Sequence, residues 1–395
     1  MHSVANYTSQ PPYQTAAKAI LQADYLLVLA GAGFSADSGL PCYDAIADLP
    51  PYKELNITYS DICSPDWIHK DPCLFFGFWG SCFELYSRTF PHSGYSVLRK
   101  WCEEIVGRRR LKKVVGRKNL TKKNDSVCIA NISYQDSKEN CTLLPRERAH
   151  SSQILAEPAQ SELKAGERAA LANYFVCTSN VDCFFRRSGF DESKILEVHG
   201  NIREWQCSKP CRESLLSSSP VWNLAPDKRF QVDEATMRAP PRKSTPDGRQ
   251  IISMTLGGGV QVPGGRINHE RCGHCGRLAR PCILMFDDDD WIGEEMGGPT
   301  SLQRKKYTDW METIRSSITP KRLVILEIGC GTRVPTLRNH ANMIFQSGIA
   351  ETKRIRINPD CPESPPRCTR TISIKDTCAS ALRKIDDAIH RLMKS

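Results

Sequence analysis

The stretch Leu26–Gly39, LLVLAGAGFSADSG, decides the fold. Leu26–Ala30 is a short apolar run closed by glycine, as expected of a parallel strand buried on both faces. Gly31, Ala32 and Gly33 follow at once, and small residues there let backbone amides approach a phosphate or pyrophosphate. Ser35 or Asp37 is placed to begin a helix, whose start favours an anion. Strand, glycine turn and helix in succession predict nucleotide binding at the end of a parallel sheet. The spacing is not G-x-G-x-x-G, so the dinucleotide fingerprint is half met. A tight strand-to-helix turn without a ligand accounts for the same residues.

Around this stretch the chain has 395 residues, enough for one large domain or two of ordinary size. Its hydrophobic content of 40% argues for a folded enzyme and against wholesale disorder. No apolar run is long enough to span a bilayer. The opening residues, MHSVANYTSQPPYQ, lack the basic head and apolar core of a signal peptide. An intracellular protein, cytoplasmic or nuclear, is expected. Its 18 cysteines should be mostly reduced, with any organised subset serving as metal ligands. The formal net charge of +10 is uneven, concentrated in 107–123, GRRRLKKVVGRKNLTKK. Such a run can bind nucleic acid or direct nuclear import, and a solvated loop has the same composition.

Tyr13–Asp24 predicts a helix leading into the first strand. Ser64-Pro65-Asp66-Trp67 and Asp71-Pro72 mark helix starts. Leu74–Tyr86 (LFFGFWGSCFELY) reads as a helix whose aromatics form core, and Ser93–Val106 as another. From 107 to about 166 the chain is basic, then rich in Ser, Asn and Glu, an insertion that is largely loop. Strands return at Tyr174–Thr178 and Lys194–Val198, the latter followed by His199-Gly200. Residues 212–271 form a long Ser-, Pro- and Gly-rich stretch. Pro281–Phe286 is a strand candidate before four aspartates, Asp287–Asp290, which could attract a lysine-rich tail or form a solvated acidic loop. Arg322–Ile328 is a buried strand ending at Gly329-Cys330-Gly331, and Lys353–Ile357 runs into Asn358. Helices are expected over Thr308–Ser317 and Thr377–Met393. Alternating strands and helices predict an α/β chain with a parallel sheet covered on both faces.

Two close cysteine pairs, Cys207/Cys211 and Cys272/Cys275, have the spacing of a tetrahedral zinc site. Four thiolates close the coordination shell, so the metal would stabilise and not catalyse. The long gap between the pairs requires the intervening segment to loop out. His274, inside the second pair, is expected to be a solvent-facing spacer, with a swap for one of the cysteines as the alternative. Cys63, Cys73, Cys82 and Cys102 read as ordinary core cysteines.

Taken together with Thr178-Ser179-Asn180-Val181-Asp182, Glu197-Val198-His199-Gly200 and the cysteine pairs, GAGFSADSGLP closely resembles the sirtuins, NAD-dependent protein deacylases. The resemblance implies a Rossmann-type parallel sheet with a small zinc-binding module, and NAD and an acyl-lysine peptide meeting in the cleft. Gly31, Ala32, Gly33, Ser35 and Tyr43 would line the dinucleotide, with Ser179 standing where the family has glutamine. Asn180 and Asp182 would hold the nicotinamide ribose and carboxamide. His199 would be the general base that deprotonates a ribose hydroxyl after the acyl oxygen has expelled nicotinamide. Gly329, Cys330 and Gly331 stand in the place of Gly-Thr-Ser, and Asn358 in that of the adenosine-side asparagine. The implied division is 1–106, 170–203 and 301–395 for the Rossmann-type domain, 107–169 for the insertion and 204–300 for the zinc module.

The family usually carries Asp-Phe-Arg or Asp-Tyr-Arg just after the cofactor turn, where this chain has Cys42-Tyr43-Asp44. A carboxylate in place of a guanidinium should weaken binding of an anionic pyrophosphate if it faces the cleft. The leading expectation is an NAD-dependent protein-lysine deacylase yielding nicotinamide and O-acyl-ADP-ribose. An ADP-ribosyltransferase or NAD glycohydrolase on the same fold, and a catalytically weak NAD- and zinc-binding scaffold, are the competing ones.

Overall fold

Among the described residues nine strands follow in chain order. They are β1 Tyr25–Ala30, β2 Tyr174–Thr178, β3 Ile195–Glu197, β4 Gly200–Cys207, β5 Val221–Asn223, β6 Ala279–Ile283, β7 Arg322–Ile328, β8 Glu351–Ile357 and β9 Thr371–Ile374. This computed structural model describes residues 12–42, 44–106, 173–217, 220–224, 228–241, 268–363 and 370–395, the side chain of Asp44 excepted. All of them belong to the unit formed by Met1–Val106 and Asn173–Ser395. The basic segment expected as an insertion over 107–169 lies outside the described residues, as does Tyr43.

Six strands make one parallel sheet in the order β3-β2-β1-β7-β8-β9. Val28 at the middle of β1 faces Val176 of β2 on one side and Leu326 of β7 on the other. Every residue of β1 is buried, as a strand covered on both faces requires. The direction of winding reverses between β1 and β7. In such sheets the crevice for a ligand opens at that point, beyond the carboxyl ends of the two strands. The α/β expectation and the strands at 174–178 and 322–328 agree with this sheet. Helix Pro299–Arg315 and helix Thr336–Ser347 bring Tyr307, Ile314, Leu337 and Ile344 onto one face with Leu27, Phe175 and Ile325. On helix Cys378–Lys394, Leu382, Ile385 and Ile389 recur at helical spacing and are buried, and Thr377 caps its start through Ser380 N–H.

Helix Pro72–Arg88 is capped by Asp71, whose carboxylate accepts from Leu74 N–H at 3.1 Å, with proline in the first turn. It buries aromatics almost all round, as read from the sequence. Gly77 leaves a notch in that wall, where a Cβ would sit 2.0 Å from the Met237 carbonyl oxygen. Residues 228–241 pack into the notch. Phe230 N–H donates to Glu84 at 2.9 Å, Ala239 N–H donates to the Cys73 carbonyl at 2.8 Å, and Arg238 pairs with Asp71 at 2.7 Å. The expectation that the segment between the cysteine pairs loops out is therefore corrected for these residues. Residues 242–267 of the same stretch lie outside the described residues.

A second sheet, β5-β4-β6, is antiparallel and carries Cys207 at the end of β4, with Cys211 capping the short helix Arg212–Leu215 just beyond. Chain reading names neither β4 nor β5, because GNIREWQC mixes charged, polar and aromatic residues without clean alternation. The structure buries both faces of β4, and Asn201, Glu204 and Gln206 on it find internal partners.

Candidate functional site

The glycine turn after β1 lies against the turn after β7. Gly33 N–H donates to the Gly329 carbonyl at 3.0 Å, and Gly31 N–H to the Ile328 carbonyl at 3.0 Å. A Cβ on Gly31 would meet the Gly329 carbonyl oxygen at 2.7 Å, and one on Gly33 would meet the Gly329 Cα at 2.9 Å. Gly329 itself has φ near +59° and no room for a side chain beside Phe34 N. These glycines let two backbone turns touch at the switch point. The expected helix start is corrected. The helix runs Ala32–Ala36 with Gly31 as its N-cap, so Ser35 lies inside it and Asp37 is its C-cap.

Ser35 is the hub of a buried polar network. Its hydroxyl donates to Asp182 Oδ2 at 2.5 Å and accepts from Asn180 Nδ2 at 2.9 Å. Since that proton is committed to Asp182, the Tyr95 hydroxyl at 3.2 Å is a donor to Ser35. Asn180 Nδ2 also donates to the Gly31 carbonyl at 3.0 Å, tying the turn after β2 to the turn after β1. Burial raises the pKa of Asp182, while the Ser35 hydroxyl and the Phe184 amide pull it back down. Ser35→Ala leaves an Asp182 oxygen and an Asn180 N–H unpaired. It should destabilise the protein by about 1–3 kcal/mol. The midpoint of urea unfolding measures this, and an unchanged midpoint would show that the network carries no stability.

His199 follows β3, and Val198 N–H donates to the Thr178 carbonyl at 2.9 Å, holding it beside the end of β2. Burial lowers the imidazole pKa below its ordinary value, and the hydrogen bond to the Ser179 backbone opposes this. The ring is neutral near pH 7 and able to accept a proton. Gly200 then has φ near +73°, and a Cβ there would sit 2.0 Å from the Cys282 carbonyl oxygen. Only glycine fits where the chain leaves the large sheet and enters the small one.

A cavity of about 310 Å³ collects Ala32, Ser35, Ser179, Asn180, Asp182 and His199. Its wall on the small-sheet side is Ile283–Phe286, and Phe78, Trp79 and Tyr86 of helix Pro72–Arg88 close another side. Of the residues expected to hold a cofactor, Gly31, Gly33, Gly329, Cys330, Gly331 and Asn358 do not line this cavity. The Cys330 thiol points back into the core, donating to the Leu29 carbonyl at 3.2 Å. Asn358 donates to the Cys330 carbonyl at 3.0 Å and accepts from the amides of Asp360 and Cys361, so its side chain organises the turn after β8. Tyr95 and the cavity aromatics were missed as site residues, because aromatic spacing on a helix reads as core; His92-Ser93-Gly94-Tyr95 at a helix start was the available signal. Of the acidic run, Asp288 is taken up by an internal ion pair with Arg280, so it does not belong to a solvated acidic loop.

The four expected cysteines converge. Their sulfurs lie within 4.8 Å of one another, with Cys207 and Cys275 at 3.6 Å and Cys211 and Cys272 at 3.9 Å. Sulfurs at tetrahedral positions around zinc stand about 3.8 Å apart, so the residues present fit the ion. His274 is exposed and outside the cluster. Among the described residues no other group of ligands of this kind occurs. Cys63, Cys82 and Cys102 are buried and Cys73 is half-buried.

The described chain is thus a doubly wound α/β fold with an inserted four-thiol module and, at the switch point, a largely apolar cavity into which a few polar side chains converge. No protein-family model and no curated protein matches it. Among solved structures it is similar to a Sir2 homologue–NAD complex, at 14% identity and TM-score 0.47, over 100% of this chain and 97% of that one. It is similar to a mutant Sir2 homologue–ADP-ribose complex at 14% identity and TM-score 0.48, over 96% and 97%. It is similar to Sir2Tm bound to a propionylated peptide at 13% identity and TM-score 0.45, over 95% and 97%. Among the described residues no helix is long and apolar enough to cross a membrane.

Proposed function

We propose that this chain is a diverged sirtuin-type enzyme, an NAD-dependent protein-lysine deacylase acting on an acyl-lysine protein or peptide. The observation that carries the proposal is the meeting of Ser35, Asn180, Asp182 and His199 in one cavity at the switch point. These residues follow the adjacent parallel strands β1, β2 and β3, so the sheet brings them to one end, and there all four line the cavity. Neutral His199 takes a proton from a ribose hydroxyl, a role for which a lowered pKa is suited. Asn180 and Asp182 orient the nicotinamide end, held in place by Ser35. The aromatic wall of Phe78, Trp79 and Tyr86 excludes water from the reacting groups. Bound NAD supplies the electrophilic ribose carbon, and zinc supplies structural closure of the four-thiol module. Residues 1–106, 170–203 and 301–395 form the nucleotide-binding part on this proposal, and 204–300 the zinc module.

Mass spectrometry of products from NAD and a panel of acyl-lysine peptides tests the proposal. Peptide-dependent nicotinamide release with O-acyl-ADP-ribose is expected. NAD cleavage that ignores the acyl peptide would favour the ADP-ribosyltransferase or glycohydrolase alternative. NAD binding without turnover would leave a scaffold.

A further inference from the structure

Arg280 on β6 and Asp288 form a fork-to-fork ion pair with no exposed side-chain surface on either partner. Arg280 Nη1 donates to Asp288 Oδ2 at 2.6 Å and Nη2 donates to Oδ1 at 2.6 Å. The same carboxylate accepts from two backbone amides of its own turn, Met285 N–H at 3.2 Å and Asp290 N–H at 3.2 Å. Between them Asp287 has φ near +54°, a conformation unfavourable for a residue with a Cβ. One buried carboxylate therefore gathers four donors and closes the turn 285–290.

That turn finishes a wall of the cavity. Ile283, Leu284, Met285 and Phe286 line it. The segment is stitched to the opposite side at two places, by Leu284 N–H to the His199 carbonyl at 3.0 Å and by Phe286 N–H to the Cys63 carbonyl at 3.0 Å. A wall whose backbone is fixed at both ends and latched from behind presents a set shape to whatever enters. A buried ion pair is a poor source of stability, since two charges lose their hydration. Its value lies in geometry, because a bidentate pair fixes direction as well as distance.

We infer that Arg280 and Asp288 are positioning residues that set the Ile283–Phe286 wall for the acyl-lysine substrate. Neither side chain reaches the cavity, so both act through the backbone they hold. The inference rests on the deacylase proposal for the identity of the substrate, but not for the latch itself. Removing the latch loosens a surface that binds ground state and transition state alike, which raises KM for peptide and spares kcat.

Three variants test this in the full chain: Asp288→Asn, Arg280→Lys, and the double variant Arg280→Met/Asp288→Leu. The double variant replaces both charges by apolar groups, so no charge is left buried and unpaired, and it is expected to fold, with some stability lost from the freed Met285 and Asp290 amides. KM for peptide should rise roughly ten-fold or more in all three, with kcat and KM for NAD within about two-fold of wild type. Hydrogen exchange at the amides of Met285 and Asp290 should quicken by roughly ten-fold or more in the double variant. A folded double variant with wild-type peptide KM would overturn the inference, as would a loss confined to kcat. If wild-type protein shows no peptide-dependent turnover, the deacylase proposal fails on its own. The latch is then judged by exchange alone, and unchanged protection of Met285 and Asp290 overturns it.

Discussion

Replacing His199 with alanine should lower formation of deacylated peptide and O-acyl-ADP-ribose by on the order of a hundred-fold or more, with the unfolding temperature nearly unchanged. The imidazole lines the cavity beside Ser179, Asn180 and Asp182. The neighbouring backbone is held by its own bonds, from Val198 N–H to Thr178 and from Leu284 N–H to His199, and alanine keeps both. The pH dependence carries a second check. Burial sets the His199 pKa below the ordinary value of about 6.5. The neutral, proton-accepting form is therefore the dominant one at pH 7. Activity should hold as pH falls through 7 and decline only below about 6.5, as the ring protonates. The residual activity of His199→Ala should lack that acid limb. A wild-type rate in the alanine variant, or an acid limb that survives in it, would remove His199 from the chemistry.

Stripping the metal should have an effect comparable to the stability of an entire small domain. Structural zinc in four-thiolate sites carries apparent binding energies of about 10–16 kcal/mol, against total folding energies of about 5–15 kcal/mol for a domain. Cys207 ends β4, while Cys272 and Cys275 sit on a turn closed by Gly276 N–H donating to the Cys272 carbonyl at 2.9 Å. Without the ion, three buried thiols and a half-buried one face one another, and only the end of the β4–β6 pairing and the Ser208 N–H to Leu278 bond still join these segments. Cys272→Ser, or chelation at neutral pH, should unfold the module around Trp222, which packs on the cysteine cluster. Tryptophan emission should shift to the red, and nicotinamide release should fall with it, because β6 continues into the cavity wall. Metal analysis of pure protein should find about one zinc per chain. Zinc-free protein of normal stability would refute the site.

Asn358 illustrates where chain reading stops. Its place after β8 is legible, yet its amide and carbonyl both serve the local turn. Whether a side chain faces a ligand or its own backbone depends on rotamers and on neighbours distant in sequence.

The sequence by itself determined the parallel-sheet class, the buried strands at 26–30, 174–178 and 322–328, the aromatic helix and the four metal-ligating cysteines. These rest on local chemistry: apolar runs, capping residues and close thiol spacing act over a few residues and leave direct traces. Tertiary structure decided the remainder. It placed Gly31 and Gly33 against Gly329, made Ser35 a hub instead of a helix start, packed residues 228–241 into the notch at Gly77, and buried Asp288 beneath Arg280. Each of these joins groups far apart in the chain, or turns on burial. A hydroxyl or carboxylate left in water needs no particular partner. Once dehydrated it must find one, and which partner it finds is fixed only when the chain has closed around it.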